Sequence, residues 1–327
     1  MKPTNITAAL RLVIQAQQPA FMWGPPGVGK STVLRTVAAS LGLDVCDVRA
    51  VLLDPVDLRG LPHINGDNRA HWCPPEFLPR DGKGILFLDE LNAAPALVQA
   101  ACYQLVLDRK LGEYILPDGW TVIAAGNRET DRSVTHRMPS ALANRFVHLS
   151  FEPDVDDWVA WALAANLPIE TIAFIRFRPA LLFAFDPAKH DKSFPTPRSW
   201  EFVSRLLAHD PDPSILFDLV AGAVGDGAAA EFCGFLKIFR SLPNPDHILL
   251  APDKAQVPTD PATLYAVCGA LGRKATDQTF ARVIQYADRL PAEFSVLLVR
   301  DCIRVNAALA NTKAFVAWTS KHKDVLL

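Results

Sequence analysis

The sequence lacks long apolar stretches, concentrated charge and paired cysteines. Its 327 residues contain no uninterrupted apolar stretch of about 18 residues, and no basic segment followed by an apolar core opens the chain. We therefore expect a protein that neither spans a membrane nor is exported. The formal net charge is -2 without a long run of like charges, which argues against a surface generally adapted to nucleic acid. The six cysteines are widely spaced, as expected of buried, reduced thiols in a cytoplasmic protein.

Apolar residues make up 50% of the chain and follow different patterns in its two halves. Strand-like runs in the first half lie at 20–23, 44–48, 85–89 and 121–125, and helical segments lie at 6–17, 31–40 and 93–107. This alternation predicts an α/β fold with a parallel sheet covered by helices on both faces. Thr4 and Asn5 are the predicted caps of the first helix.

Beyond Phe151 the chain shows only helical patterns. They lie at 155–165, 168–177, 197–208, 213–224, 228–240, 261–271, 276–290 and 293–309. A proline-rich, polar break at 242–260 separates the first five from the rest. We therefore predict an α/β domain over residues 1–150, a helical lid domain over 151–245 and a C-terminal helical extension over 246–327.

A glycine-rich loop follows the first predicted strand and precedes a predicted helix. It comprises Gly24, Pro25, Pro26, Gly27, Val28, Gly29, Lys30, Ser31 and Thr32. Glycines let backbone N–H groups surround phosphates at a helix N-terminus, where the helix dipole favours anions. We expect Lys30 to reach the β- and γ-phosphates of ATP and Ser31 to bind Mg²⁺. An ordinary glycine loop is the alternative, which the preceding strand and following helix disfavour.

Polar residues end the next two buried strands. Asp89 and Glu90 close one apolar run, and Asn127 follows the run at 121–125. We predict that Asp89 holds Mg²⁺ through water and that Glu90 deprotonates the attacking water. Asn127 is predicted to orient that water and to sense the γ-phosphate. Acidic strand ends and an Asn after Gly are also common in turns, so these roles depend on the glycine loop.

Arginines that follow these strands are candidates for stabilising charge on transferring phosphate oxygens. Arg145 is the preferred arginine finger, supplied to a neighbouring subunit. Its nearby competitors are Arg128, Arg132 and Arg137. Arg198, near the start of a helix in the second half, is placed to report the nucleotide state to the helical domain. Each of these side chains could instead be a solvated or salt-bridged surface arginine.

Taken in order, these motifs resemble those of the AAA+ ATPases. The stretch Asp89-Glu-Leu-Asn-Ala-Ala-Pro-Ala-Leu-Val-Gln99-Ala-Ala is similar to D-E-[IL]-N-x-A-P-x-x-x-Q-x-A of the MoxR branch. Ser140-Ala-Leu-Ala-Asn-Arg145-Phe and the Pro197-Arg198 pair also resemble that branch, and the resemblance covers about residues 19–240. It implies a P-loop NTPase fold, ATP hydrolysis with Mg²⁺ at subunit interfaces, and a ring, commonly a hexamer. It further implies a chaperone-like remodeller of a protein client, often with a von Willebrand factor A domain partner.

The resemblance also implies an insert in the second helix of the nucleotide domain, which residues 53–80 match. Trp72 and Phe77 in this insert either face a central pore or pack the insert onto the domain. Residues 110–120 predict a second hairpin, with Pro-Asp-Gly as its turn, that could line the same pore. No zinc-site spacing links the nearby side chains of His63, His71 and Cys73.

A ring-forming, ATP-hydrolysing remodeller of proteins is the leading hypothesis. The main alternative is an AAA+ motor or loader acting on nucleic acid, which the near-neutral charge and the lack of a basic tail disfavour. A nucleotide-dependent binding protein would not need Glu90, Asn127 and Arg145. A small-molecule kinase is disfavoured because nothing resembles an acceptor site or a short lid.

Overall fold

A five-stranded parallel sheet forms the centre of the first half of the chain. The computed structural model describes residues 1–64, 66, 69–131, 138–189, 191–240, 242 and 244–322. Its strands are β1 (Ala20–Trp23), β2 (Asp44–Arg49), β3 (Leu61–Ile64), β4 (Ala70–Cys73), β5 (Gly84–Asp89), β6 (Lys110–Leu111), β7 (Tyr114–Ile115), β8 (Trp120–Gly126) and β9 (Val147–Ser150). The sheet order is β2-β5-β8-β1-β9, and the pairs β3–β4 and β6–β7 form separate antiparallel hairpins.

The predicted α/β fold with a parallel sheet is confirmed, and the four predicted strands are β1, β2, β5 and β8. β5 and β8 are buried along almost their whole length, as expected of central strands. The sequence pattern does not reveal β9, because it is a short edge strand in which only Leu149 is buried. All four strand pairs in the sheet are parallel, so the strands' carboxyl ends lie at one edge.

Five helices accompany this sheet in the described residues: α1 (Pro3–Gln15), α2 (Lys30–Leu41), α3 (Pro55–Arg59), α4 (Ala96–Asp108) and α5 (Ser140–Ala143). The prediction that Thr4 and Asn5 cap α1 is wrong, because the N-cap is Lys2 and both residues lie inside the helix. Pro3 starts the helix one position later, where its fixed φ and missing N–H are tolerated. α2 extends the helix predicted at 31–40 by one residue at each end, and it stops before Gly42, its left-handed C-cap, as predicted.

The second hairpin reverses at a different place from the predicted turn. Gly112 and Glu113 connect β6 to β7, and Gly112 adopts a φ of 60°, which favours glycine in a tight reversal. The Pro-Asp-Gly sequence follows β7 and forms the turn into β8, where Trp120 N donates to Pro117 O at 3.0 Å. The predicted hairpin is therefore present, but the predicted turn is wrong, because the chain changes direction twice in this short segment.

The second half of the described chain is helical. Its helices are α6 (Val155–Ala164), α7 (Ile169–Phe177), α8 (Pro197–Leu207), α9 (Pro213–Val224), α10 (Asp226–Arg240), α11 (Pro245–Leu250), α12 (Pro261–Arg273), α13 (Phe280–Ala287), α14 (Ala292–Val305) and α15 (Lys313–Lys321). α11 lies inside the predicted break, because proline is tolerated in its first turn and Asn244 caps it. No helix in the described ranges has both the length and the apolar character needed to cross a membrane.

Internal contacts divide the chain into two units. The α/β unit holds Met1–Asp154 with Asp186–His190, and the helical unit holds Val155–Phe185 with Asp191–Leu327. Two clusters of buried side chains stabilise the helical unit, one around Phe174, Trp200 and Phe232 and one around Phe280 and Tyr286. α12 contributes side chains to both clusters. The domain boundaries at 150 and 245 remain predictions.

A buried ion pair joins α7 to α14 within the helical unit. Arg176 and Asp301 form a bidentate pair, and their side chains are only 6% and 3% exposed. Two charges are tolerated in such a place only when they are paired and hydrogen-bonded. The pair therefore couples a helix before residue 245 to a helix after it.

The six cysteines are free thiols in different environments. Cys102, Cys268 and Cys302 are buried, but Cys73 is exposed on β4, so the expectation of buried thiols is wrong for Cys73. The reason is that the β3–β4 hairpin has little covering it, and most of its residues are exposed. Burial raises the pKa of Cys102 and of Cys302 to about 12, which disfavours their reactive thiolate forms.

Candidate active site

The glycine-rich loop connects β1 to α2 at the carboxyl edge of the sheet. Gly27 and Gly29 have φ values of 76° and 98°, in the left-handed region that glycine adopts without a steric penalty. Gly24 passes close to Phe151, since a Cβ on Gly24 would lie 3.1 Å from the Phe151 Cβ. Gly29 is the N-cap of α2, so the loop ends where a helix N-terminus favours a phosphate.

Lys30 is the first residue of α2 and reaches back across the loop. Its Nζ donates to Gly24 O at 2.6 Å, to Pro25 O at 3.1 Å and to Asn127 Oδ1 at 3.2 Å. One ammonium group therefore contacts both the loop and the end of β8. From this position it can bind phosphate oxygens that enter between the two elements.

Ser31 and Asp89 form a pair of oxygen donors beside Lys30. Ser31 Oγ donates to Asp89 Oδ2 at 3.1 Å, which joins the start of α2 to the end of β5. A hydroxyl and a carboxylate suit Mg²⁺, which in phosphate sites takes its remaining ligands from phosphates and water. Among the described residues, no group of three or more His, Cys, Asp or Glu side chains is arranged to hold a metal, and this applies to His63, His71 and Cys73.

Glu90 directly follows β5 in a left-handed conformation, with a φ of 55°. This conformation is uncommon for a residue other than glycine, and Gln17, Arg109, Asn166 and Asp210 also adopt it. Its N–H donates to Asp89 Oδ1 at 3.0 Å, and its C=O accepts from Ala93 N at 2.9 Å. The sharp turn places the backbone of Glu90 at the edge of the sheet, directly after Asp89.

Asn127 lies just beyond β8 and is held through its side chain and its backbone. Its Oδ1 accepts from Lys30 Nζ, and its C=O accepts from Asn92 Nδ2 at 2.7 Å. Asn92 is 1% exposed. The motifs give Asn92 no role, although a polar amide that follows Asp89-Glu90 in an otherwise apolar turn is a signal that could reveal it.

Arg145 is engaged with its own chain. Its guanidinium carbon lies 3.9 Å from the centre of the Tyr103 ring, and Nη1 donates to Ala141 O at 2.6 Å. Within the described residues, no hydrogen bond joins Arg145 to the glycine loop or to Asn127. The structure of one chain thus gathers the loop, Lys30, Ser31, Asp89, Glu90 and Asn127, but not Arg145.

The competing arginines are either engaged elsewhere or undescribed. Arg128 donates to Phe151 O at 2.8 Å and lies 4.0 Å from the Glu152 carboxylate. Its backbone N–H donates to Asp131 Oδ2 at 2.9 Å. These bonds fix Arg128 as a structural link after Asn127. The other two competitors, Arg132 and Arg137, lie outside the described residues.

Arg198 belongs to the helical unit, where it is exposed at the second position of α8. A capping box starts this helix: Ser199 N donates to Thr196 Oγ1 at 3.0 Å, and Thr196 N donates to Ser199 Oγ at 2.7 Å. The box fixes the first turn and hence the place at which Arg198 leaves the helix. The role of Arg198 toward the nucleotide stays a prediction.

Comparisons with known proteins point to one family. Residues 19–146 match the model of the AAA domain, dynein-related subfamily. The MoxR protein of Methylorubrum extorquens is 31% identical over 144 residues, which span 42% of this chain and 41% of that protein. Residues 19–146 therefore form an AAA domain, and the chain is similar to a MoxR protein. The resemblance found in the motifs is thereby confirmed.

Two further similarities are to a much larger protein and to a solved structure. Midasin of Giardia intestinalis is 28% identical over 188 residues, or 53% of this chain and 4% of midasin. The chain therefore spans less than half the length of either curated relative. Among solved structures, the RuvB Holliday junction branch migration motor of Thermotoga maritima is 18% identical and covers 82% of this chain and 81% of its own, with a TM-score of 0.39.

In this AAA domain, one edge of the sheet carries complementary chemical groups. The glycine-rich loop lies beside the Lys30 ammonium group, the Ser31 and Asp89 oxygens and the Asn127 amide, and the second carboxylate, that of Glu90, belongs to the residue after Asp89. The first three features can bind a nucleotide with its metal ion. The second carboxylate and the amide can activate and orient a water molecule.

Proposed function

We propose that this chain hydrolyses ATP as a subunit of a ring, commonly a hexamer, that remodels a protein client. The observation that carries the proposal is the continuous set of contacts from Ser31 and Asp89 through Lys30 to Asn127, with Glu90 adjacent. A protein that only binds nucleotide needs the loop but not a carboxylate and an amide placed for water. Hydrolysis is therefore the activity that this set of groups supports best.

The chemistry follows from the groups present. Lys30 would bind the β- and γ-phosphates, and Ser31 directly and Asp89 through water would hold Mg²⁺, which offsets charge on the phosphate oxygens. Glu90 accepts a proton from the attacking water, and Asn127 Oδ1 orients that water toward the γ-phosphorus. The water oxygen forms the new bond while the bond to the leaving ADP oxygen breaks, so the products are ADP and phosphate.

A shared site explains why the contacts of Arg145 go to Ala141 and Tyr103 and not to the loop of its own chain. Its guanidinium is held against the Tyr103 ring and by Ala141 O, so its direction is set before a partner arrives. We infer that it stabilises charge on ATP bound by the neighbouring subunit. Arg198 would sense the nucleotide of its own or of a neighbouring subunit from the helical unit.

Two hairpins are the proposed client-contacting elements. His71 Nδ1 lies 2.5 Å from Glu113 Oε2, so the β3–β4 hairpin is fastened to the turn between β6 and β7. Leu61, Ile64 and Ile115 on these hairpins are more than half exposed. Exposed apolar side chains in one region are typical of protein-binding surfaces. This surface supports a polypeptide client.

The aromatic residues of the insert differ in their exposure. Trp72 is half-buried and lines a cleft of about 310 Å³ together with Tyr114 and Ile115. Phe77 is 39% exposed. Phe77 is therefore the better candidate for facing the pore, whereas Trp72 packs between the hairpins. The von Willebrand factor A domain partner rests on the resemblance to the MoxR branch, and the cytoplasmic location rests on the unpaired cysteines of the sequence.

Steady-state ATP hydrolysis by the purified protein with Mg²⁺ tests the catalytic part of the proposal. Lys30→Ala should abolish nucleotide binding and lower turnover by at least about 100-fold, because phosphate charge loses its main counter-charge. Lys237→Ala, which removes an exposed lysine on α10, is the matched control and should keep wild-type turnover. Tight ATP binding by Lys30→Ala would contradict the role of the loop.

The client is best sought with Glu90→Gln, which should bind ATP, turn it over slowly and accumulate as the assembled ring. Proteins retained by this variant with ATP but not with ADP are then identified by mass spectrometry. A von Willebrand factor A domain protein among them would support the branch-specific partner. Stimulation of ATP turnover by DNA would instead favour the nucleic-acid motor.

A further inference from the structure

The peptide group of Asn127 lies beyond the strand pairing that holds β8. The pairing of β8 with β1 ends at Gly126, and its pairing with β5 ends at Ala124. Neither neighbouring strand therefore pairs with Asn127. The Asn92 side chain holds this peptide instead, because its Nδ2 donates to Asn127 O at 2.7 Å.

Asn92 fits against β8 only because residue 126 is glycine. A Cβ on Gly126 would lie 2.7 Å from Asn92 Cγ, which is closer than carbon atoms pack. Asn92 is 1% exposed, and its Oδ1 has no hydrogen-bond partner among the described residues. A buried oxygen without a partner lowers stability, so an apolar side chain of similar shape would serve packing better. The amide is therefore better explained by its bond to Asn127 than by packing.

Asn92 also belongs to the turn that starts at Glu90. This turn is closed by Ala93 N donating to Glu90 O at 2.9 Å, and it begins with the left-handed Glu90. Asn92 thus connects the turn that carries Glu90 to the peptide that carries Asn127, whose Oδ1 accepts from Lys30 Nζ. The proton acceptor, the water-orienting amide and the phosphate-binding ammonium are linked through one side chain.

We propose that Asn92 is a positioning residue for hydrolysis, holding the Asn127 amide in register with Glu90 so that both groups act on the same water. This inference rests on the proposed ATP hydrolysis. Asn92 acts through Asn127 and leaves phosphate binding to the loop and Lys30. Loss of the bond should therefore lower the rate of the chemical step more than it lowers nucleotide affinity.

Asn92→Leu is the most informative variant, because it keeps a similar shape while removing both the donor and the unpaired oxygen. We expect kcat to fall about 10- to 100-fold, as a misplacement of about 1 Å at a reacting group can cause. The dissociation constant of a non-hydrolysable ATP analogue should change less than about threefold. Thermal unfolding checks that the variant is folded. Asn92→Ala serves as a second variant, and we expect its kcat to fall while its nucleotide affinity changes little.

Gln99 provides a matched control. It is also 1% exposed, its Nε2 donates to the backbone oxygen of Ala94 at 3.0 Å, and its Oε1 has no partner among the described residues. It holds a turn rather than Asn127. Gln99→Ala should therefore lower the melting temperature about as much as Asn92→Ala but leave kcat within about threefold of wild type.

The outcomes separate the inference from the proposed function. An unchanged kcat in a folded Asn92→Leu protein, beside an active wild type, would overturn the inference alone. An equal fall in kcat for Gln99→Ala would also overturn it, because any buried amide would then have the same effect. Absence of hydrolysis by the assembled wild type would overturn both the inference and the proposed function.

Discussion

One site in the α/β unit and one in the helical unit use buried polar groups in different ways. At the edge of the sheet, Glu90 is held at a φ of 55°, and the buried Asn92 Oδ1 has no partner among the described residues. In the helical unit, the buried Arg176 and Asp301 satisfy one another in a bidentate pair. The Asn92 amide keeps one unpaired oxygen, whereas the ion pair is stable in the interior because both charges are paired and hydrogen-bonded. The contrast is between these two sites and not between the whole units, because the buried Trp158 Nε1 and Thr171 Oγ1 of the helical unit also lack a partner among the described residues.

The largest expected effect is a loss of ATP turnover on removal of Arg145, which belongs to the α/β unit. Arg145→Ala should lower ATP turnover by about 10³-fold, because charge on the transferring phosphate loses its guanidinium. The free energy of unfolding should fall by only about 1 kcal/mol through the lost contact with Tyr103. Turnover is measured at concentrations that favour assembly, and stability is measured by urea denaturation.

The control for Arg145 removes a different arginine from the same unit. Arg35→Ala breaks an exposed pair with Asp47 and should leave turnover close to wild type. If Arg145→Ala lost stability but kept its ATP turnover, Arg145 would have a structural role and not a catalytic one.

The second largest effect concerns the ion pair of the helical unit. Asp301→Ala should lower the free energy of unfolding by about 3–5 kcal/mol, because it leaves the Arg176 charge buried and unpaired. Arg300→Ala on the same helix breaks a pair with Asp156 whose side chains are 42% and 67% exposed, and should cost less than about 1 kcal/mol. Urea denaturation of both variants gives the comparison.

A double substitution distinguishes pairing from burial. Arg176→Met with Asp301→Leu should recover most of the stability lost in Asp301→Ala, since it removes both charges and refills the space. Equal stability of Asp301→Ala and Arg300→Ala would contradict a structural role for the buried pair.

The smallest effect concerns a helix cap in the helical unit. Asp260 caps α12, where its Oδ2 accepts from Thr263 N at 2.9 Å. Asp260→Ala should lower the free energy of unfolding by about 1 kcal/mol, and Asp260→Asn should keep most of the cap, because an amide oxygen accepts the same bond. If Asp260→Ala lowered the free energy of unfolding as much as Asp301→Ala does, burial would not explain the difference between a capping carboxylate and a buried ion-paired carboxylate.

Local patterns in the sequence predict most of the fold. β5 and α2 are recognisable because apolar spacing and terminal glycines are properties of adjacent residues. The pattern fails where the local signal is weak or ambiguous, as at the short edge strand β9 and at the turn between β6 and β7. The cap of α1 shows the same ambiguity, because Thr4 and Asn5 are good caps next to a proline that starts the helix earlier.

The residues of the candidate site likewise differ in how well the sequence predicts them. Its phosphate-binding and acidic residues are predictable because the chemistry requires particular residue types at strand ends. Asn92 and the Arg176–Asp301 pair are not, because their partners are 35 and 125 residues away in the chain. Such contacts depend on how the elements pack, so a single sequence can at most mark Asn92 as a polar residue in an apolar turn and cannot name its partner.

The most direct test of hydrolysis at this sheet edge is to measure nucleotide binding and turnover in Glu90→Gln beside the wild type. The glutamine keeps the shape of the side chain but cannot accept the proton from water. We predict an ATP affinity within about threefold of wild type and a turnover at least about 100-fold lower. Wild-type turnover in Glu90→Gln would contradict the assignment of Glu90 as the proton acceptor.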